Sequence, residues 1–134
     1  MAGFEGLFES HLTVEPTDDG ERLRALAQRY GAKYTRIVLD RGSSPDQPMV
    51  TFRGSGLLDE QRASTRAWTR RLREAGFLVS RVKIEAAPDN ADLPQTADLP
   101  EGCYFEHHVK VVLADGAGIA AVRAVSERHA AHVS

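Results

Sequence analysis

Two short alternating stretches hold most of the side chains able to do chemistry. Glu9, His11 and Thr13 in FESHLTV (Phe8 to Val14) and Glu106, His108 and Lys110 in FEHHVKV (Phe105 to Val111) fall on every second residue, and Phe, Glu, His and Val match in register. Alternate residues of a strand share a face, so each stretch offers a Glu-x-His pair on its polar side. FLVSRVKIE (Phe77 to Glu85) brings Arg81, Lys83 and Glu85 by the same parity, and Arg36, Asp40 and Arg53 can join from neighbouring strands. Two imidazoles flanking Lys83 and Arg81 suit a bound anion. One takes a proton from a nucleophile, the other gives one to a leaving oxygen, and the cations hold the developing charge. His11 and His108 are thus the candidate catalytic residues, with Glu9, Lys83, Arg81 and Glu106 as candidate substrate-binding groups. A single metal suits this spacing less well. Both imidazoles and a carboxylate would have to reach one point within about 2.0–2.2 Å, which requires adjacent strands or marked curvature. No metal and no other cofactor is assigned from spacing alone, and a His/Glu metal-binding protein stands as an alternative.

The elements that must position these residues follow from periodicity. Phe8, Ser10, Leu12 and Val14 alternate with polar residues, giving a first strand that Pro16 ends. Thr17 or Asp18 can cap the next helix, where Leu23, Leu26, Ala27 and Tyr30 keep helical spacing until Gly31. Lys33 to Asp40 reads as a second strand, RGSSPDQP as a loop and Met49 to Arg53 as a third strand, joined most simply as a hairpin. GSGLLDEQ opens a second helix with Thr65, Trp68, Leu72 and Ala75 on its apolar side and Gly76 as the stop. Phe77 to Glu85 is the fourth strand. Residues 86–100, with three prolines, form a long loop, either a plain connector or a functional, mobile segment. CYFEHHVKVVL reads as a fifth strand, and Ile119, Val122, Val125 and His129 mark a closing helix. The order βαββαβ followed by βα predicts a ferredoxin-like α+β fold with an appended βα unit, a mostly antiparallel sheet and helices on one face. Phe8, Leu12, Val82, Ile84, Phe105 and Val109 then face the helices, and the polar parity faces away.

The matching strands belong to a longer internal repeat. Val122 to Ser134 aligns without gaps against Leu23 to Thr35, sharing Arg24/Arg123, Ala25/Ala124, Arg29/Arg128 and Ala32/Ala131. The copies span about residues 8–40 and 105–134. Either they are equivalent β-α units burying equivalent faces, or they are two convergent amphipathic units. The first copy runs on into a strand at Tyr34 and the second ends at Ser134, so the final strand is either vestigial or left in a longer parent.

His11-Leu12-Thr13-Val14 on an early strand resembles the His-x-Thr/Ser motif of the two-histidine phosphoesterase superfamily, whose members carry two such motifs in duplicated lobes and act on cyclic phosphates or RNA ends. The resemblance implies a phosphodiesterase-like hydrolase in which His11 and His108 are the acid/base pair and Thr13 is a phosphate-binding hydroxyl. His108-Val109-Lys110 departs from the motif, with lysine where Thr or Ser is expected; Lys110 can still contact phosphate as a point charge.

The bulk properties set bounds on these readings. The chain has 134 residues, 42% hydrophobic and 27% charged, with a formal net charge of -2, an ordinary balance for a single domain spanning residues 1–134. Such a charge gives no global field for nucleic acid or anionic membrane. Arg62, Arg66, Arg70 and Arg73 form a stripe on the second helix, but Glu60 and Glu74 accompany them and no aromatic interleaves, so the stripe reads as a solvated face and nucleic acid is not an expected partner. The single cysteine, Cys103, cannot form an internal disulfide and reads as a core thiol. His107 has core parity, and His129 and His132 complement a helix end. No basic leader and no 18-residue apolar run occurs, which predicts a cytoplasmic protein without a membrane partner. Gly-rich phosphate loops, serine nucleophile elbows and HExxH are absent. The leading expectation is therefore a domain binding, or hydrolysing, a phosphate-bearing or otherwise anionic small molecule. The rival is a non-enzymatic domain that forms homo-oligomers or meets a protein partner through the same sheet face.

Overall fold

The computed structural model describes residues 4–96, 98–116 and 118–134. The chain divides into two compact units, one of Met1–Val38 with Asp46–Leu93 and one of Leu39–Pro45 with Pro94–Ser134. In the first, β1 (Glu5–Val14), α1 (Gly20–Arg29), β2 (Lys33–Val38), β3 (Asp46–Leu57), α2 (Leu58–Glu74) and β4 (Val79–Ala86) follow in order. The sheet order is β2-β3-β1-β4 and every neighbouring pair is antiparallel. This is the ferredoxin-like arrangement: α1 joins β1 to β2 across β3, and α2 joins β3 to β4 across β1.

Period-2 alternation divides β1 cleanly. Phe8, Ser10, Leu12 and Val14 are all buried, and Leu12 and Val14 pack with Val50 of β3, Leu23 and Ala27 of α1, Trp68 and Leu72 of α2, and Phe77. Both helices therefore cover this one face. Leu12, Leu23 and Leu72 are completely buried, each contributing roughly 1.5–3 kcal/mol through loss of apolar surface to water. Trp68 also stacks on Phe52, ring centroids 5.9 Å apart. The intervening residues of β1, Glu9, His11 and Thr13, project from the other face.

Both helices of the first unit stop by the same device. Gly31 has φ +76° and Gly76 φ +90°, left-handed values that glycine adopts without a Cβ penalty. The chain then turns so that the Ala32 N–H donates to the Ala27 carbonyl (2.8 Å) and the Phe77 N–H to the Leu72 carbonyl (2.9 Å), the long bond of a Schellman cap. At the start of α2 the Glu60 carboxylate accepts from the Leu57 N–H at 2.7 Å, satisfying one of the otherwise orphaned first-turn donors.

The second unit contains α3 (Gly118–Arg128). Its end matches that of α1 bond for bond: His129 N–H to Ser126 carbonyl, Ala130 N–H to Glu127 carbonyl and Ala131 N–H to Ser126 carbonyl repeat Tyr30 to Ala27, Gly31 to Gln28 and Ala32 to Ala27. These are the positions that the sequence repeat pairs. Ala130, the counterpart of Gly31, has φ +52°. The 39–45 segment is tied within this unit through the Asp40 N–H to the Val133 carbonyl, Arg41 to the Ala131 carbonyl and Arg123 Nε to Asp40 Oδ1 at 2.7 Å.

The strand half of the repeat does not correspond in the same way. Among the described residues, 103–113 form none of the named strands, whereas the matched 8–14 lie at the centre of the sheet. Cys103, expected in the core, is exposed, as is His107: without a ladder inside its unit, the segment has no buried parity to offer. No helix among the described residues is long and apolar enough to cross a membrane.

Candidate functional site

The register of β1 against its two neighbours builds the site. Glu9 lies opposite Arg53 of β3 and Glu85 of β4, and His11 lies opposite Thr51 and Lys83. Six side chains thus form two adjacent rows, Glu85–Glu9–Arg53 and Lys83–His11–Thr51, on the face turned away from the helices. Directly opposed Cβ atoms stand about 4.5–5.5 Å apart, close enough for every neighbour to touch.

Glu9, His11 and Glu85 converge. His11 Nε2 is 3.5 Å from Glu9 Oε1 and 3.3 Å from Glu85 Oε2, and one ligand atom from each of the three lies within 4.8 Å of the others. The remaining polar atom of each residue has its own holder. Glu9 Oε2 accepts from Arg53 Nε at 2.9 Å, His11 Nδ1 is 2.8 Å from Thr51 Oγ1, and Glu85 Oε1 lies 2.9 Å from Lys83 Nζ. That last contact is an ion pair whose angles fall short of a hydrogen bond. The His11 side chain is 16% exposed, so its orientation is set by these neighbours rather than by water.

A cleft of about 500 Å³ adjoins the trio, lined by Glu9, Glu85 and Arg53 together with Leu7, Phe8, Gly54 and residues 86–88. One wall belongs to the long loop, whose first part is pinned. The Ala87 N–H donates to the Leu7 carbonyl, Asn90 Oδ1 accepts from the Leu7 N–H at 2.9 Å, and Asn90 Nδ2 donates to the Leu7 carbonyl at 2.7 Å. The side-chain amide thus serves β1 as a strand neighbour would. Gly6, at φ +141°, leaves room for it, because a Cβ there would collide with Asn90 Oδ1.

The other predicted residues fall as follows. Thr13 shares the parity of His11 and lies opposite Arg81; Thr13 is buried and Arg81 exposed. His108 and Glu106 belong to the second unit, where Nε2 and Oε2 are 3.2 Å apart, and Lys110 is exposed there. Of the three side chains expected to join from β2 and β3, Arg53 does. Arg36 lies opposite Pro48 while Tyr34 lies opposite the core residue Val50, so Arg36 shares the helix-side parity, where it holds Asp46 with two hydrogen bonds. Asp40 is in the second unit with Arg123. Thr51 was not singled out by sequence, although the alternation of MVTFR places it with Arg53; what identifies it is the β1–β3 register.

Fold and site define a ferredoxin-like α+β domain with an imidazole held between two carboxylates on its sheet. No protein-family model matches the chain, and no curated protein or solved structure does.

Proposed function

We propose that the first unit is a divalent-metal-binding domain in which Glu9 Oε1, His11 Nε2 and Glu85 Oε2 hold the ion. The spacing of these atoms carries the reading. A charge-assisted N–H···O bond is about 2.7–2.9 Å long, shorter than either contact of His11 Nε2. Atoms bound at ~2.0–2.1 Å around a tetrahedral ion stand about 3.3–3.4 Å apart, close to the 3.3 and 3.5 Å observed. The outer contacts support the same conclusion. Arg53, Thr51 and Lys83 fix the far side of each ligand, as outer-shell partners do in metal sites, and the Thr51 hydroxyl accepts the Nδ1 proton when Nε2 coordinates. Nitrogen and carboxylate oxygen donors suit zinc and its first-row neighbours. Three protein ligands leave a coordination position for water or a small molecule, where the ion can polarise what it binds.

The phosphate-directed reading of His11 has less support. An anion approaching Nε2 directly would meet Glu9 and Glu85, and like charges at that range repel unless a cation intervenes. A bound metal removes this difficulty, so phosphoester chemistry remains compatible with the site through the ion.

Calorimetric titration of the chelator-stripped chain with zinc tests the proposal. One equivalent should bind, and His11→Ala and Glu85→Gln should each weaken binding by more than the roughly 10–100-fold typical of losing an outer-shell partner. Absence of binding at millimolar zinc, or binding untouched by both substitutions in variants with native circular dichroism, would overturn it.

A further inference from the structure

We infer that the cleft beside the trio receives a small organic oxyanion with an apolar tail, the oxyanion completing the coordination of the ion; this rests on the metal reading above. The cleft and the site share Glu9 and Glu85, so a molecule in the cleft lies against two of the three ligand residues. At about 500 Å³ the space falls within the ~300–1,000 Å³ usual for small-molecule sites.

Charge selects the sign of the guest. Among the first unit's own groups the two carboxylates cancel a divalent ion, and Arg53 and Lys83 then leave a positive balance. Arg53 is placed to use that charge. Its Nε is committed to Glu9, its side chain is 87% exposed, and it lines the cleft. The planar guanidinium presents five donors in a fork that matches carboxylate and phosphate oxygens. An oxyanion can therefore place one oxygen on the ion and another on Arg53. The rest of the lining, Leu7, Ala87 and Pro88 above all, offers no charged group, so the remainder of the guest is apolar. The Asn90 bonds to Leu7 hold this wall in place before any ligand arrives, which lowers the ordering cost of binding.

The test uses the full chain saturated with cobalt(II), whose visible spectrum reports changes of its ligands. Butyrate and phenyl phosphate are added separately, with butanol and butylammonium as neutral and cationic counterparts. Butyrate or phenyl phosphate should shift the spectrum saturably, the stronger of the two identifying the headgroup, and the other two should not. At saturating cobalt, Arg53→Met should weaken the effective anion at least tenfold. If no cobalt spectrum develops, the metal reading fails and takes this inference with it. If the spectrum develops but neither anion changes it, if butanol matches butyrate, or if Arg53→Met leaves anion affinity unchanged, the metal reading stands and the cleft assignment falls.

Discussion

Thr51 Oγ1 stands 2.8 Å from His11 Nδ1, and the two residues face one another across the β3–β1 ladder. The hydroxyl engages Nδ1 and so orients the ring; in the proposed metal site this leaves Nε2 to coordinate. Thr51→Val preserves shape and β-branching while deleting the acceptor. Zinc affinity should fall by roughly 10–100-fold with the far-ultraviolet circular dichroism unchanged, as isothermal titration would show.

Ala130 adopts in the cap of α3 the left-handed conformation that glycine adopts at position 31. A Cβ in that region costs on the order of 1 kcal/mol. Ala130→Gly should therefore stabilise α3 by about 1 kcal/mol, and Gly31→Ala should destabilise the first unit by a similar amount. Urea denaturation of the two variants beside the parent gives both differences.

Ser10 is 1% exposed on the helix side of β1, and among the described residues its Oγ has no hydrogen-bond partner. A buried, unsatisfied polar group costs about 1–3 kcal/mol. Ser10→Ala removes the hydroxyl with little change in volume, and should raise stability by about 1 kcal/mol. A loss on chemical denaturation would show that the hydroxyl is satisfied after all.

Asp46 accepts from Arg36 Nε and Nη2 at 2.8 and 2.7 Å, and this hydrogen bonding, followed by the charge of Arg36, holds its carboxyl below the ordinary value of 3.8. A carboxyl lowered on folding contributes stability above its unfolded value and loses it as pH falls through the lowered folded value. Asp46→Asn should thus be less stable than the parent at neutral pH, and the two should converge in acid. Thermal melts across an acid series measure the convergence, and the effect is small because the pair is at the surface.

Strand and helix identities were legible because periodicity and the stops at Gly31 and Gly76 are local properties. The parity of Glu9 and His11 was legible for the same reason. Residues that depend on register were not. Glu85 and Thr51 meet His11 only because β4 and β3 flank β1 with particular pairings, and nothing near either residue announces them. Arg36 was misplaced by the same gap: alternation gives two faces but does not say which one meets the helices. FEHHVKV shows the limit of pattern itself, since alternation proposes a strand and only a ladder makes one. The clamp from Asn90 to Leu7 depends on a backbone angle at Gly6, more than eighty residues away in sequence.

β1 has a laddered neighbour on both sides over the stretch that carries Glu9 and His11. The N–H and carbonyl of Leu7 both engage the β4 side, and His11, an even number of residues further along, turns its amide the same way, so that amide trades hydrogen with solvent when β4 comes away from β1. If the site holds an ion as proposed, occupancy and melting of the first unit are linked equilibria: an ion present at a hundred times its dissociation constant would add about 2.7 kcal/mol to the unit's resistance to melting, and a chelator would take the same amount away.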